Sequence, residues 1–281
     1  VYEGRIEALE SIRGYLKKQT EKYVIMTDSN IAVNFDFNDL LHAHIESGAD
    51  ATVVYRKQEI PKPLIKQSTE ALDQYYALGV NGDHVSKIYI NPTEKGEMNF
   101  CLNIYVVERE LLIRMIDDAF VHGYTSFVRD ILERQIEHLD VRGYCYDGYV
   151  AEIHDMKSYF EENMKLLEEE NLNALFSGNQ IYTKIRDDNP TRYINGSKAK
   201  NVMVADGCVI EGEVENSILF RGVHIGKGAK VKNCVLMQDT VVEDNASVEY
   251  VITDKDVTIT EGKSLTGNDS FQVFVAKGQT V

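Results

Sequence analysis

Asp28, Asn30, Asp36 and Asp39 follow closely on an apolar run that ends at Thr27. Oxygen donors at the carboxyl end of a strand sit where open α/β sheets hold ligands, so this group is the first candidate for a divalent cation and the phosphate it neutralises. A turn closed by a helix cap at Asp36 uses most of the same residues and is the competing account. Seven histidines are scattered along the chain. His42 and His44 stand two apart on a helical pattern and so face different ways, which predicts packed or solvated roles rather than a ligand pair. His224 has the chemistry of a general base for acyl transfer, although no substrate-covering loop accompanies it. Cys101, Cys145, Cys208 and Cys234 lie at unrelated spacings and read as reduced, structural thiols. Neither Gly-x-Gly-x-x-Gly nor Gly-x-x-x-x-Gly-Lys-Ser/Thr occurs, so the sequence offers no phosphate-cradling loop.

The elements that would position such groups change character along the chain. From Val1 to about Tyr182, short apolar strands alternate with amphipathic helices, as in a layered α/β domain. Tyr23 to Thr27, Ala51 to Tyr55 and Cys101 to Val107 read as strands. Asp36 caps a helix that turns Leu40, Leu41, His44 and Ile45 to one face and ends at Gly48. A helix carries Leu111, Leu112, Met115, Ile116, Ala119 and Phe120, and another carries Phe127, Val128, Ile131, Leu132 and Ile136. A strand near Tyr149 to Ile153 leads through Asp155 into a helix whose acidic run, Glu168 to Glu170, reads as a solvated face.

Past Asn189-Pro190 the helical period gives way to a repeat. Rows of 17 residues place Val214, Val231 and Val248 in one column, Ile218, Val235 and Ile252 in a second, and Ile225, Val242 and Ile259 in a third. A shorter leading copy starts at Asn201. An aliphatic residue about every six positions, followed by small or polar ones, is the hexapeptide pattern of a parallel β-helix, whose aliphatic columns fill the prism.

Composition narrows the function. Lys plus Arg number 30 against 45 Asp plus Glu, a formal charge of −15, which argues against holding a nucleic-acid backbone. The apolar runs are too short to cross a bilayer and no charged, apolar leader opens the chain, so a cytoplasmic protein is expected. The chain begins at Val1, with almost no loop before its first helical pattern, and is expected to be a piece of a longer one.

Several blocks occur in an order that resembles the sugar-1-phosphate nucleotidyltransferases, and in detail ADP-glucose pyrophosphorylase (glucose-1-phosphate adenylyltransferase). They are YVIMTDSNIAVNFDFNDLLHAHIESGADATV from Tyr23, CLNIYVV from Cys101, SFVRDIL from Ser126, YVAEIHDMKSYFEENMKLL from Tyr149, IYTKIRDDNPTRY from Ile181 and ADGCVIEGEVENSILFRGVHIGKGAKV from Ala205. The resemblance implies a nucleotidyltransferase-type, Rossmann-like α/β domain over residues 1–182, N-terminally incomplete because the family's nucleotide loop is absent. A linker over 183–200 and a left-handed parallel β-helix of hexapeptide repeats over 201–281 would follow.

The family's site residues map onto altered positions. Its Gly-Asp-His turn, whose Asp helps to hold Mg²⁺, falls on Ser29-Asn30-Ile31, and Asn30 brings no charge to a cation. Its Glu-Lys-Pro falls on Ile90-Asn91-Pro92, without the Lys that holds the sugar phosphate. Its Ser-x-Gly falls on Cys101-Leu102-Asn103, its Arg-Asp-Val-Gly on Ala151-Glu152-Ile153-His154, and its Gly-Thr-Ala-Asp-Ala on Gly4-Arg5-Ile6-Glu7-Ala8. Family-equivalent substrate positions are therefore Gly4, Glu7, Asn91, Cys101, Asn103 and Ser126; Asn30 and Glu152 are degenerate catalytic positions, and no metal site is intact. Because nucleotidyl transfer depends on positioning and charge neutralisation, these losses should cost many powers of ten in rate, and the pattern resembles the non-catalytic, GlgD-type regulatory subunit, which implies glycogen biosynthesis. The resemblance further implies Mg²⁺ as the family cofactor, assembly with a catalytic subunit into a heterotetramer or as a homo-oligomer, and a sugar-phosphate effector, with no nucleic-acid or membrane partner. An active adenylyltransferase is the alternative, and a hexapeptide acyltransferase using His224 a third. Arg109, Arg114, Arg129 and Arg134 could meet a phosphorylated effector, though solvated helix faces are the expected place for them.

Overall fold

The computed structural model describes residues 4–67, 75–183 and 187–281. The chain divides into two compact units, one of residues 1–31 and 35–148, the other of residues 32–34 and 149–281. The first unit is an α/β layer. Its elements are α1 (Arg5–Ser11), α2 (Arg13–Leu16), β1 (Tyr23–Met26), α3 (Phe37–Ser47), β2 (Ala51–Glu59), α4 (Lys62–Gln67), β3 (Tyr76–Asn81), β4 (His84–Ile90), β5 (Glu97–Glu108), α5 (Arg109–His122) and β6 (Val141–Cys145). The six strands form one mixed sheet in the order β1-β5-β2-β6-β4-β3. β2 pairs antiparallel with β5 and parallel with β6. Val53, Tyr105 and Val107 from the sheet pack with Leu112, Ile116 and Ala119 of α5 in one core.

Local chemistry fixes the helix ends. The Asp36 carboxylate accepts from the Asn38 N–H at 2.8 Å, and Gly48 closes α3 in the left-handed region at φ 65°. The expected apolar face of α3 is narrower than the sequence suggests: Leu40 and His44 are buried, whereas Ile45 is 46% exposed. Buried His44 pairs its Nδ1 with Thr52 Oγ1 at 2.8 Å and meets the Tyr23 ring edge-on, while His42 is exposed. The helix expected from Phe127 to Ile136 is a π-type turn over Phe127–Leu132. Ser126 Oγ accepts from Arg129 N–H, the Asp130 carboxylate accepts from the N–H groups of Thr125 and Ser126, and the Glu133 N–H reaches back to the Val128 carbonyl.

In the second unit, α6 (Met156–Lys165) begins with a capping box in which Asp155 and Ser158 bond reciprocally, and α7 (Glu169–Phe176) exposes the acidic run Glu168 to Glu170. A parallel β-helix follows. Its strands stack in the expected 17-residue register: Val214 on Val231 on Val248, Ile218 on Val235 on Ile252, and Ile225 on Val242 on Ile259. The stretch read as a linker already contributes strands, since Arg192–Tyr193 pairs with Val209–Ile210 and Lys198–Val204 pairs with Glu213–Leu219. Residues 184–186 of that stretch, and of the block from Ile181, lie outside the described residues, as do residues 1–3 at the start of the first domain.

One column departs from the expectation that all three fill the prism. The Val214 and Ile225 columns face inward, with Leu219, Cys234, Leu236 and Val251 beside them. Val235 and Ile252 instead form a separate cluster with Phe160 of α6, flanked by Tyr159, Met164 and Tyr250. The cause is pleat alternation: in Ile218-Leu219 and Val235-Leu236 successive side chains point to opposite faces, so this wall is apolar both inside and outside. The helix covers the outside. Helices α6 and α7, expected to complete the α/β domain, both fall in the same unit as the β-helix.

At the corner between two walls, Asn201, Asn216, Asn233 and Tyr250 all take positive φ, between 49° and 52°. The three asparagines form a ladder, with Asn201 Nδ2 donating to Asn216 Oδ1 and Asn216 Nδ2 to Asn233 Oδ1, each at 2.7 Å. Asparagine tolerates this left-handed conformation and supplies the side-chain bonds that link successive coils.

Candidate functional site

In the first unit the candidate positions gather around β5 and the loops beside it. Gly4 precedes α1 and lies against the Thr125 backbone; a Cβ there would come within 2.5 Å of the Thr125 carbonyl oxygen. The same carbonyl accepts from the Ile6 N–H at 3.2 Å, so the start of α1 is seated on the turn that carries Ser126. Glu7 is exposed on α1. Arg5 donates from Nη2 to Asp28 Oδ1 at 2.5 Å and lies over the Tyr105 ring, 5.1 Å from its centroid. Burial opposes the Arg5 charge, but Tyr105 and Asp28 more than offset it, and the guanidinium pKa is raised.

The contacts continue along β5. The Tyr105 hydroxyl donates to Asn103 Oδ1 at 2.7 Å and lies 3.5 Å from Cys101 Sγ. Burial drives the Tyr105 pKa well up, and it raises that of Cys101 as well, so both groups stay protonated. Asn103 takes φ 57°, a left-handed conformation that glycine or asparagine tolerates, at the position where the resemblance expects glycine, and its side chain is turned to Tyr105. Tyr76 and Ser126 meet through their hydroxyls at 3.1 Å. Behind them, Arg129 holds the Asp130 carboxyl well below the usual carboxylate range, helped by the two backbone N–H groups.

Asn91 is engaged in the backbone. At φ 46° it exchanges bonds with Tyr75, its N–H donating to the Tyr75 carbonyl and its Oδ1 accepting from the Tyr75 N–H, each at 2.9 Å. Asn30 lies half-buried in the bend after β1. In the second unit, Glu152 and His154 are both nearly buried, with Glu152 Oε2 3.1 Å from His154 Nε2. Thus Gly4, Cys101, Asn103 and Ser126 share one region with Arg5, Asp28, Tyr76 and Tyr105. Asn91 is engaged with Tyr75, Glu7 is exposed on α1, and Glu152 belongs to the second unit.

The donor set does not fit Mg²⁺. Asp36 is committed to capping α3, Asp28 is held by Arg5, and Asn30 adds a neutral oxygen. Among the described residues no group of three or more His, Cys, Asp or Glu converges as a metal site would require. Elsewhere, His224 pairs with Glu211 on the outer surface of the β-helix, at 3.1 Å. Arg109 departs from the solvated-face expectation: it is largely buried, donating to the carbonyls of Glu21 and Leu16 and pairing with Glu110. Arg114 is exposed, Arg134 lies over the Tyr124 ring, and Arg129 is spent on Asp130. Cys101, Cys208 and Cys234 are buried free thiols, whereas Cys145 is exposed.

Sequence comparison agrees with both halves. Residues 185–272 match the family model described as GlmU-like, C-terminal hexapeptide. Over 265 residues the chain is 31% identical to glycogen biosynthesis protein GlgD of Bacillus subtilis, an alignment covering 94% of this chain and 65% of that protein. Over most of its length the chain is thus similar to GlgD and glucose-1-phosphate adenylyltransferase proteins. Identity is 28% to the glucose-1-phosphate adenylyltransferase of Geobacillus stearothermophilus, over 82% of this chain and 59% of that protein. It is also 28% to that of Acetivibrio thermocellus, over 92% and 60%. The chain thus spans less than two thirds of the length of these relatives. Among the described residues no helix is long and apolar enough to cross a membrane.

The residues that the sequence left unremarked are Tyr76, Tyr105 and the pairing of Arg5 with Asp28. One signal was available. An arginine stands at position 5 where the related block has threonine, and a new charge beside a buried region needs a counterion.

Proposed function

We propose that the chain is part of a regulatory, catalytically degenerate subunit of ADP-glucose pyrophosphorylase in glycogen biosynthesis. One observation carries this reading: the polar groups at the candidate substrate positions are engaged with partners inside the chain. Asn91 is bonded to Tyr75, Asn103 to Tyr105, and Asp28 to Arg5. Nucleotidyl transfer to glucose 1-phosphate needs groups free to bind phosphate and to neutralise charge as it develops, and their loss removes the chief source of acceleration. The similarity to GlgD over nearly the whole chain supports the same assignment. On this reading the protein works in a complex with a catalytic subunit, or as a homo-oligomer, in the cytoplasm. A sugar phosphate is the class of effector, and Mg²⁺ acts on the catalytic partner.

The test is turnover by the full-length protein alone with ATP, glucose 1-phosphate and Mg²⁺. Activity at or below ~10⁻³ of a catalytic relative is expected, from the size of single electrostatic losses in active sites. Turnover close to that of such a relative would make the chain an active adenylyltransferase instead. Co-expression with a catalytic subunit should yield a stable complex, and separate elution of the two proteins would count against regulation.

A further inference from the structure

The Asp28 carboxylate lies just past β1, where oxygen donors would meet a divalent cation, and it is already neutralised by a guanidinium. We propose that Arg5 is a built-in counterion that takes the place of a divalent cation at Asp28, so that this site neither binds nor needs Mg²⁺. The inference rests on the family resemblance for the metal expectation and on this chain's own contacts for the replacement.

The geometry supports a fixed cation rather than a passing surface pair. Arg5 is anchored through its backbone, because Gly4 lies against the Thr125 carbonyl and Ile6 N–H donates to that same oxygen. Its guanidinium is held from two sides, by Asp28 Oδ1 at 2.5 Å and by the Tyr105 ring face at 5.1 Å. Tyr105 is fully buried and fixed in turn by its hydrogen bond to Asn103. Only about a quarter of the Arg5 side chain is exposed, and about a third of Asp28. A guanidinium stays charged at any pH the fold survives, so the carboxylate is neutralised permanently. A dication brought to the same carboxylate would meet that charge at close range and be repelled. Asn30 adds no anionic oxygen to reverse the balance. Independently, in the second unit, the surviving carboxylate at a family catalytic position, Glu152, is hydrogen-bonded to His154 where the related block has glycine.

Mn²⁺ titration of the full chain, followed by electron paramagnetic resonance, tests the proposal alongside thermal denaturation in Mg²⁺ and in EDTA. The expected result is no saturable Mn²⁺ binding up to ~1 mM, the weak end of protein carboxylate sites, and an unfolding midpoint that is the same in both buffers. Asn30→Asp alone should remain a poor ligand. Arg5→Thr combined with Asn30→Asp should bind Mn²⁺ ~10–100-fold more tightly than Asn30→Asp, the range for removing a controlling neighbour of a metal site. If the threonine variant loses its circular dichroism, Arg5→Gln with Asn30→Asp carries the same comparison, keeping length without charge. Saturable binding by the unaltered chain, or equal affinity with and without Arg5, would overturn the proposal. Turnover is a separate readout: it decides the non-catalytic reading, whereas Mn²⁺ affinity decides the role of Arg5.

Discussion

The two units solve the problem of specifying a fold in opposite ways. In the β-helix the same solution is repeated: each coil places an aliphatic side chain on the one below, and the corners return to the left-handed region at Asn, Asp or Gly, with Tyr250 the exception. Adjacent walls differ only in what lies outside them. One wall presents Lys198 to Glu213 and Lys200 to Glu215 to solvent, while another presents Val235 and Ile252 to α6. In the α/β unit almost every contact that matters occurs once. Arg5 finds Asp28, Tyr105 finds Asn103 and Asn91 finds Tyr75. Repetition makes a region legible and stiff; singularity leaves room for the substitutions that remove chemistry while the fold survives.

The largest effect that would break this comparison is a charge in a repeated column. Val231 is buried between Val214 and Val248. Val231→Asp should destabilise the β-helix by ~3–5 kcal/mol, because a carboxylate there has neither water nor a partner. Denaturant unfolding followed by circular dichroism should show the β-helix lost at lower denaturant. An unchanged midpoint would mean that the columns are not a dry core.

A second substitution asks whether α6 truly belongs to the repeated unit. Phe160 is 5% exposed and packs on Val235 and Ile252, which are wholly buried. Phe160→Ala should cost ~3–5 kcal/mol, as for other buried aromatic truncations. The loss should fall on the β-helix transition in a full-length denaturation curve. If instead hydrogen exchange quickens only in α6 while the coils keep their protection, the helix is a dispensable cover.

What the sequence could reveal follows the same division. Three columns in register over three rows were visible because stacking repeats every 17 residues, and Asp36 and Gly48 were visible because capping is local. The direction of the Ile218 column was not read, although its signal was present: in Ile218-Leu219 and Val235-Leu236 two adjacent apolar residues must face opposite sides of a wall, so a cover was required. Ile45 was misplaced because a helical pattern gives an apolar stripe but not the width of the surface that receives it. The ion pair of Arg5 with Asp28 joins positions 23 residues apart and depends on how α1 sits on the Thr125 turn. No periodicity encodes such a pair. The candidate site was therefore legible as a set of altered residue types, and illegible as a set of internal bonds.

The smallest effect separates backbone conformation from side-chain bonding at a repeated corner. Asn216 takes φ 49°, donates to Asn233 and accepts from Asn201. Asn216→Ala removes both bonds and leaves a Cβ in the left-handed region without the compensation asparagine provides, so a loss of ~2–3 kcal/mol is expected from the two contributions together. Asn216→Gly removes the same bonds but relieves the conformational cost, and should lose only ~1 kcal/mol. The difference between the two variants, read as a shift in denaturation midpoint at constant slope, isolates the backbone contribution. Equal losses would assign the corner to the ladder alone. That result would weaken the view that the coil geometry selects residues at its turns, because glycine and alanine would then be interchangeable where the backbone is left-handed.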